Sequence, residues 1–263
     1  MKLRIISAVV ALLIAMPLIL LGDIYFKLLV IILGLLGLRE MMNVRDNIPS
    51  KVKWISYLLF LIFMTKSFDL AGTSFCIDLE TIILSVFVLF MPILIYSNDK
   101  KYNIEDALYL LGSIIFLSIA FNLVIIVRDE SLMLMFYLLL IPVITDTFAY
   151  FGGSKFGKHK LLPSISPNKS VEGLIIGSLF GTVIPTIFYY FTISNSVSIP
   201  LLIVLTLFMS LTGQLGDLIF SSIKRHYRIK DFSNIIPGHG GILDRLDSII
   251  FVIYAYLLIS TLL

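Results

Sequence analysis

The sequence is poor in charged residues. Only 14% of its 263 residues are Asp, Glu, Lys or Arg, whereas a typical soluble domain has about 25%. Hydrophobic residues make up 59% of the chain and the mean hydropathy is +1.02. So few polar side chains cannot cover the surface of a water-soluble globule of this length. The composition therefore excludes a soluble protein and places most of the chain against lipid or other apolar helices.

Several other features are scarce or absent. The one cysteine, Cys76, excludes an internal disulfide and any metal site built from several cysteines. The sequence has no Walker A loop, no Rossmann glycine motif after a strand, no Cys/His zinc pattern and no serine on a nucleophile elbow. The formal net charge is only +3, which is typical of a membrane protein that keeps basic residues on one side. No nucleic-acid partner is expected.

Long apolar runs are abundant, and they predict helices that cross the bilayer. Lipid offers no partner for unpaired backbone groups, and no barrel-like alternation is present, so each span must be helical. The first run lacks a small-residue cleavage site and a second run follows at once, so we expect it to be retained rather than removed as a signal peptide. The predicted fold is an all-α, polytopic transmembrane helical bundle. Its nine predicted spans lie at about 4–21, 24–40, 53–68, 78–97, 105–127, 131–151, 171–192, 199–222 and 243–263.

The basic residues predict the orientation of this bundle. Of the 20 Lys and Arg residues, only Lys27, Lys66 and Arg128 fall in outer segments when the amino terminus is placed inside. Because Lys and Arg accumulate on the cytoplasmic side, we predict a cytoplasmic amino terminus in the cytoplasmic (inner) membrane. Residues 1–127 are interpreted as a transmembrane scaffold. Residues 128–263 are interpreted as a catalytic region with two cytoplasmic loops, 152–170 and 223–242.

Four carboxylates lie at the inner ends of three spans. Asp146 is near the end of span six, Asp217 near the end of span eight, and Asp244 and Asp247 open span nine. A charge within a span is costly and needs a partner, and crowded carboxylates repel each other unless they are protonated or share a cation. Aspartate oxygens suit Mg²⁺, Mn²⁺ or Ca²⁺. The alternative, that Asp244 only pairs with Arg245 or caps its helix, does not account for four acids on one side.

The loops beside these acids are rich in Lys, Arg and Gly. Lysine and arginine are the usual partners of phosphate oxygens. In the second loop His239 stands between glycines, and such a loop lets backbone amides approach an anion closely. An isolated histidine would more often be structural. Acids next to basic, glycine-rich loops predict a site for a metal ion and a phosphorylated ligand on the cytoplasmic face.

Residues 222–248 carry an ordered series of polar residues with fixed spacing. The series is Ser222, Lys224-Arg225, Lys230-Asp231, Pro237-Gly238-His239-Gly240-Gly241 and Asp244-Arg245-Leu246-Asp247. It resembles the signature of the phosphatidate cytidylyltransferases, or CDP-diacylglycerol synthases. Segments 146–153, 165–173 and 213–217 are similar to the same family, so the resemblance covers about residues 142–250.

The resemblance implies Mg²⁺-dependent transfer of a cytidylyl group from CTP to phosphatidate, giving CDP-diacylglycerol and pyrophosphate. It implies that Asp217 and Asp244 hold the metal, with Asp247 and Asp146 as further ligands, and that Lys224 and His239 take part in catalysis. The implied substrate-binding residues are Asn168, Lys169, Ser222, Arg225, Lys230, Asp231, Gly240, Gly241 and Arg245.

Two alternatives remain open from the sequence. A related CTP-dependent enzyme would act on another lipid phosphate or on a polyprenol, and the residues do not choose between these acceptors. An ion-coupled transporter would bind ions at acidic residues, but its site would lie near mid-bilayer between inverted repeats. An additional monovalent cation such as K⁺, and a homodimer, are compatible with the resemblance.

Overall fold

The structure is a computed structural model that describes residues 2–45, 48–66, 79–96 and 101–260, and for residues 2–5, 8 and 66 it describes the backbone alone. Cys76, Lys100 and all of segment 67–78 lie outside the described residues. Within these ranges the chain forms nine helices and one two-stranded sheet. The helices are α1 (Lys2–Leu21), α2 (Asp23–Asn43), α3 (Ser50–Lys66), α4 (Leu79–Ile95), α5 (Ile104–Glu130), α6 (Leu132–Phe156), α7 (Val171–Thr192), α8 (Ile199–His226) and α9 (Leu243–Ile259), and the strands are β1 (Lys160–Leu162) and β2 (Ser166–Ser170).

The predicted all-α bundle is confirmed. By length and composition, α5, α6, α7 and α8 are each able to cross a membrane. Large apolar side chains on the outside of the bundle stay exposed, such as Leu94, Phe191 and Leu13. Apolar surface of this extent is typical of a lipid-facing protein. Crossing of the membrane by all nine helices stays a prediction.

Helix α5 lies at the centre of the bundle. Its side chains Leu110, Ile114 and Leu117 are fully buried, and it contacts α2, α3, α4, α6 and α9. At its first turn, Asn103 and Asp106 form a capping box in which each side chain accepts a hydrogen bond from the other's backbone amide. This helix therefore joins the amino-terminal helices to the elements that carry the acidic residues.

The two loops predicted at 152–170 and 223–242 are shorter than expected. Helix α8 continues to His226 because no glycine or proline interrupts 223–226, and basic residues are favourable in a last turn. Helix α6 continues through Gly152 and Gly153 to Phe156. There the glycines provide a surface for α7, since a Cβ on Gly152 would lie 2.8 Å from Ile176. Lys224 and Arg225, which were predicted in the loop, are consequently on a helix, as is Ser222, which was predicted at the end of span eight.

The remainder of the first loop forms an antiparallel hairpin of β1 and β2. Glu172, in the first turn of α7, accepts hydrogen bonds from the amides of Lys158 and His159 and from His159 Nδ1 at 2.6 Å. Ser170 caps the same helix by accepting a hydrogen bond from the Gly173 amide at 3.1 Å. These contacts fix the hairpin on the end of α7.

Glycines let α6 and α7 pack closely. A Cβ on Gly177 would lie 2.7 Å from the Thr145 carbonyl oxygen and 2.8 Å from the Ala149 Cβ, and one on Gly173 would lie 2.8 Å from the Ala149 carbonyl oxygen. Because backbone atoms cannot move aside as a flexible side chain can, a larger residue would push the two helices apart. Small residues are the usual means of close helix contact in membranes.

We predict that Gly177→Ala lowers the free energy of unfolding by about 1–3 kcal/mol, because it overfills the α6–α7 contact. Gly112→Ala on α5 is the matched control, since a Cβ there has nothing within 4 Å, and it should stay within about 1 kcal/mol of the wild type. Unfolding of the purified protein in detergent measures both. Equal stability of the two variants would show that the close packing is unimportant.

Candidate active site

A pocket of about 590 Å³ lies where α6 and α8 end and α7 and α9 begin. Its wall includes residues from all four helices, from β2 and from the segment 227–242, here called the α8–α9 loop. Nine of the predicted site residues line it: Asp146, Asn168, Lys169, Asp217, Lys224, Asp231, Asp244, Arg245 and Asp247. The tertiary structure thus brings acidic and basic residues from separate parts of the chain into one cavity.

Three of the carboxylates form a group. Asp146, Asp217 and Asp247 lie close enough to repel one another electrostatically. Lys169 offsets part of this charge, because its Nζ lies 2.5 Å from Asp217 Oδ2. Asp247 is buried and its Oδ1 accepts a hydrogen bond from the Ser248 amide at 2.7 Å. The group is a concentration of negative charge that Lys169 pairs with directly and that Lys224 and Arg245 approach.

Asp244 has a different environment. Its Oδ1 accepts a hydrogen bond from Lys224 Nζ at 2.6 Å, and its Oδ2 accepts from the amides of Phe232 and Gly241, both at 2.9 Å. Lys224 also lies over the ring of Phe232, 5.5 Å from its centroid. The Asp244 carboxylate therefore fixes the α8–α9 loop against α8 and α9.

The side chains fit a metal that arrives with a ligand better than a metal held in a protein cage. Among the described residues, no group of three or more His, Cys, Asp or Glu has the arrangement of a complete metal site. Mg²⁺ is commonly held by one or two carboxylates and by phosphate oxygens of the substrate, and it keeps several waters. The pocket offers such carboxylates in Asp146, Asp217 and Asp247.

Six predicted site residues do not line this pocket. Arg225 donates hydrogen bonds to the carbonyls of Ile165 and Ile229 and thus joins α8 to the hairpin and to the α8–α9 loop. His239 Nδ1 lies 2.7 Å from the Ser7 hydroxyl on α1. Gly240 has a φ of +85°, which favours glycine. The six are Ser222, Arg225, Lys230, His239, Gly240 and Gly241.

Glu40 is a residue of this region that the sequence analysis missed. It lies on α2, is 1% exposed, and accepts hydrogen bonds from the α8–α9 loop and the start of α9. The one available signal was a carboxylate at the end of an apolar span, and that signal does not reveal a partner about 200 residues away. Tyr150 and Gln214 also line the pocket.

The apolar bundle and the mixed-charge pocket at one end define an integral membrane protein with a site for a polar, charged ligand. A sequence profile of the cytidylyltransferase family matches residues 2–263. Phosphatidate cytidylyltransferases from Staphylococcus haemolyticus, Staphylococcus saprophyticus and Staphylococcus aureus are 37%, 36% and 36% identical to this chain, and each match covers 96% of both chains. The chain belongs to the cytidylyltransferase family, and it is a nucleotidyltransferase.

The family assignment confirms the resemblance seen in residues 142–250 and extends it over almost the entire chain. It favours an enzyme over the ion-coupled transporter considered above. The comparisons concern the chain as a whole, so the roles of individual residues rest on the geometry.

The two lysine–aspartate pairs should differ in their contribution to stability. The Lys224–Asp244 pair is nearly enclosed, with side chains 10% and 2% exposed, whereas those of Lys169 and Asp217 are 28% and 26% exposed. We predict that Lys224→Met lowers the free energy of unfolding by about 3 kcal/mol or more, because Asp244 stays buried without its cation.

Lys169→Met is the matched control and should cost less than about 1 kcal/mol, because solvent screens the more open pair. Denaturant titration in detergent micelles compares the two variants. Similar losses in both would contradict the assignment of Lys224–Asp244 as the structural pair.

Proposed function

We propose that this enzyme transfers the cytidylyl group of CTP to phosphatidate and releases pyrophosphate, in a reaction that requires Mg²⁺. The observation that carries the proposal is the pocket in which five aspartates and two lysines converge from α6, β2, α8, the α8–α9 loop and α9. Its support from the comparisons is the name shared by the relatives at 36–37% identity.

The reaction does not need a strong general base. The phosphate monoester of phosphatidate is already an anionic nucleophile. One of its oxygens attacks the α-phosphorus of CTP, the bond to the β-phosphate oxygen breaks, and pyrophosphate leaves with that electron pair. The tasks left to the protein are to align the reactants and to neutralise charge.

Of the two lysines in the pocket wall, Lys169 is the one suited to neutralising phosphate charge, because Lys224 is enclosed with Asp244. Each ammonium group lies in the pocket wall and is paired with a carboxylate, Lys169 with Asp217 and Lys224 with Asp244. In the proposed complex Lys169 turns from Asp217 towards a phosphate of CTP, which its partial exposure permits. Arg245 lines the same pocket and is exposed, so it is a second donor to phosphate.

The carboxylates provide the metal ligands in this proposal. One or two of Asp146, Asp217 and Asp247 would hold Mg²⁺ together with phosphate oxygens of CTP. When bound, the ion would neutralise phosphate charge and polarise the reacting phosphorus. Asp244 is less suited than the sequence suggested, because Lys224 and two backbone amides occupy its oxygens. Asp244 instead places the other residues of the α8–α9 loop.

The location of the pocket suits a water-soluble and a membrane-bound substrate. It lies at the helix ends that carry most of the basic residues, so we place it at the cytoplasmic face. CTP would enter from the cytosol, while the acyl chains of phosphatidate remain in the membrane beside the exposed aromatic ring of Tyr150.

The direct test is an assay with CTP labelled at the α-phosphate, Mg²⁺ and a panel of lipid acceptors in proteoliposomes. We expect label in a lipid product and stoichiometric pyrophosphate with phosphatidate, and much slower turnover with polyprenyl phosphate or an ether-linked lipid phosphate. Faster turnover with another acceptor would replace phosphatidate in the proposal. Absence of pyrophosphate with every acceptor would reject it.

Removal of a metal ligand should reduce turnover without unfolding the protein. We predict that Asp217→Asn lowers kcat by about 100-fold or more, and that EDTA abolishes turnover until Mg²⁺ is restored. Asp244→Asn should lose both activity and stability, because it weakens the contact with Lys224.

Asp129→Asn is the control for the loss of one carboxylate charge. Asp129 pairs with Lys27 at 2.9 Å and does not line the pocket. The turnover of the Asp129→Asn variant should therefore match that of the wild type. Near-normal turnover of Asp217→Asn in the same assay would remove Asp217 from the metal site.

A further inference from the structure

The start of α9 carries Asp244, Arg245 and Asp247, yet no side-chain hydrogen bond from its own N-cap, Ile242, holds it. The first amides of a helix have no partner within the helix, and a buried helix end needs acceptors from elsewhere. Asp244 accepts the Gly241 amide. The following two amides, of Ile242 and Leu243, require another acceptor.

Glu40 of α2 is that acceptor. Its Oε1 accepts a hydrogen bond from the Ile242 amide and its Oε2 accepts one from the Leu243 amide, both at 2.8 Å. Oε1 also accepts a hydrogen bond from the Ser233 hydroxyl at 2.6 Å. One carboxylate thus holds both the α8–α9 loop and the first turn of α9.

The position of Glu40 in its own helix is locally unfavourable. It lies in the last turn of α2, where the helix dipole disfavours a negative charge. The amino terminus of α9 offsets this cost, because a carboxylate is favourable at that end of a helix. The arrangement therefore depends on the contact between the two helices and not on α2 alone.

The packing around Glu40 leaves little freedom. A Cβ on Gly241 would collide with the Glu40 carboxylate, and one on Gly37 would lie 3.0 Å from Leu243. Glu40 and Leu243 are 1% and 0% exposed. Glycines at both places let α2 and the start of α9 approach closely.

We propose that Glu40 is a positioning residue for nucleotidyl transfer: it fixes the start of α9 so that Asp244, Arg245 and Asp247 face the pocket. Glu40 does not line the pocket, so it acts through α9 and not on the substrates. The kinetic part of this inference rests on the proposed function. The structural part, that Glu40 holds the α9 amides, can be measured without the reaction.

The test compares full-length wild type with Glu40→Gln, which keeps the volume of the side chain and avoids a cavity. The amide nitrogen of glutamine cannot accept a hydrogen bond, so one carboxylate acceptor is lost. Hydrogen exchange should become about ten-fold faster or more at whichever of the Ile242 and Leu243 amides faces the glutamine nitrogen. In the CTP and phosphatidate assay, kcat should fall by about ten-fold or more.

Comparison of kcat with KM for CTP distinguishes a positioning role of Glu40 from a general loss of structure. Asn168 and Lys169 lie on β2 and do not depend on Glu40, so KM for CTP should change less than kcat. Glu40→Asp keeps the charge with a shorter reach and should regain part of the lost kcat. Glu105→Gln is the matched control: its side chain is 75% exposed in the first turn of α5, and it should change neither exchange nor turnover.

If the Ile242 and Leu243 amides of Glu40→Gln exchange hydrogen at the same rate as in the wild type, the inference is overturned. Faster exchange with unchanged kcat would also overturn it, because the start of α9 would then be free to move without consequence for the reaction. Failure of wild type to use CTP and phosphatidate would reject the proposed function alone, and the exchange measurement would still decide whether Glu40 holds α9.

Discussion

A carboxylate in the apolar interior of a helix bundle needs an opposite charge or hydrogen-bond donors within reach, because water is not available to solvate it. This constraint organises the site. Asp217 is paired with Lys169, and Asp244 is paired with Lys224 and two amides. Glu40 is held by two amides and a hydroxyl. These contacts compensate the charge of the acids. They also hold β2, α8, the α8–α9 loop and α9 together around the pocket, and Glu40 joins α2 to this group from outside the pocket.

The pairing has a consequence for a phosphorylated ligand. Lysines that neutralise carboxylates before binding are already in place to meet phosphate oxygens afterwards. Lys169 can leave Asp217 for a phosphate oxygen with only a small movement of its side chain, because that side chain is partly exposed. Lys224 is more enclosed, which suits a structural role. Two pairs that look equivalent in sequence thus differ in function because their exposure differs.

Close helix packing provides the rigid support for these side chains. Gly173 and Gly177 let α7 lie against α6 with backbone atoms nearly in contact, and the Thr145 and Ser210 hydroxyls hydrogen-bond across α6 and α8 at 2.8 Å. Membrane helices gain little from hydrophobic burial against each other, so such close contacts and interhelical hydrogen bonds decide their association. The pocket lies at the end of this tightly packed group.

The sequence by itself determined the helical bundle, because apolar runs in lipid admit few other structures, and it determined the family through the spaced residues between Ser222 and Asp247. It also placed Asp146, Asp217, Asp244 and Asp247 on one side of the bundle, since the predicted spans six and eight end, and span nine begins, on that side. Only the tertiary structure decided which lysine pairs with which aspartate, that α6 continues through Gly152 and Gly153, and that Glu40 reaches the start of α9. These depend on contacts between helices distant in sequence, and no local pattern of residues encodes such distances.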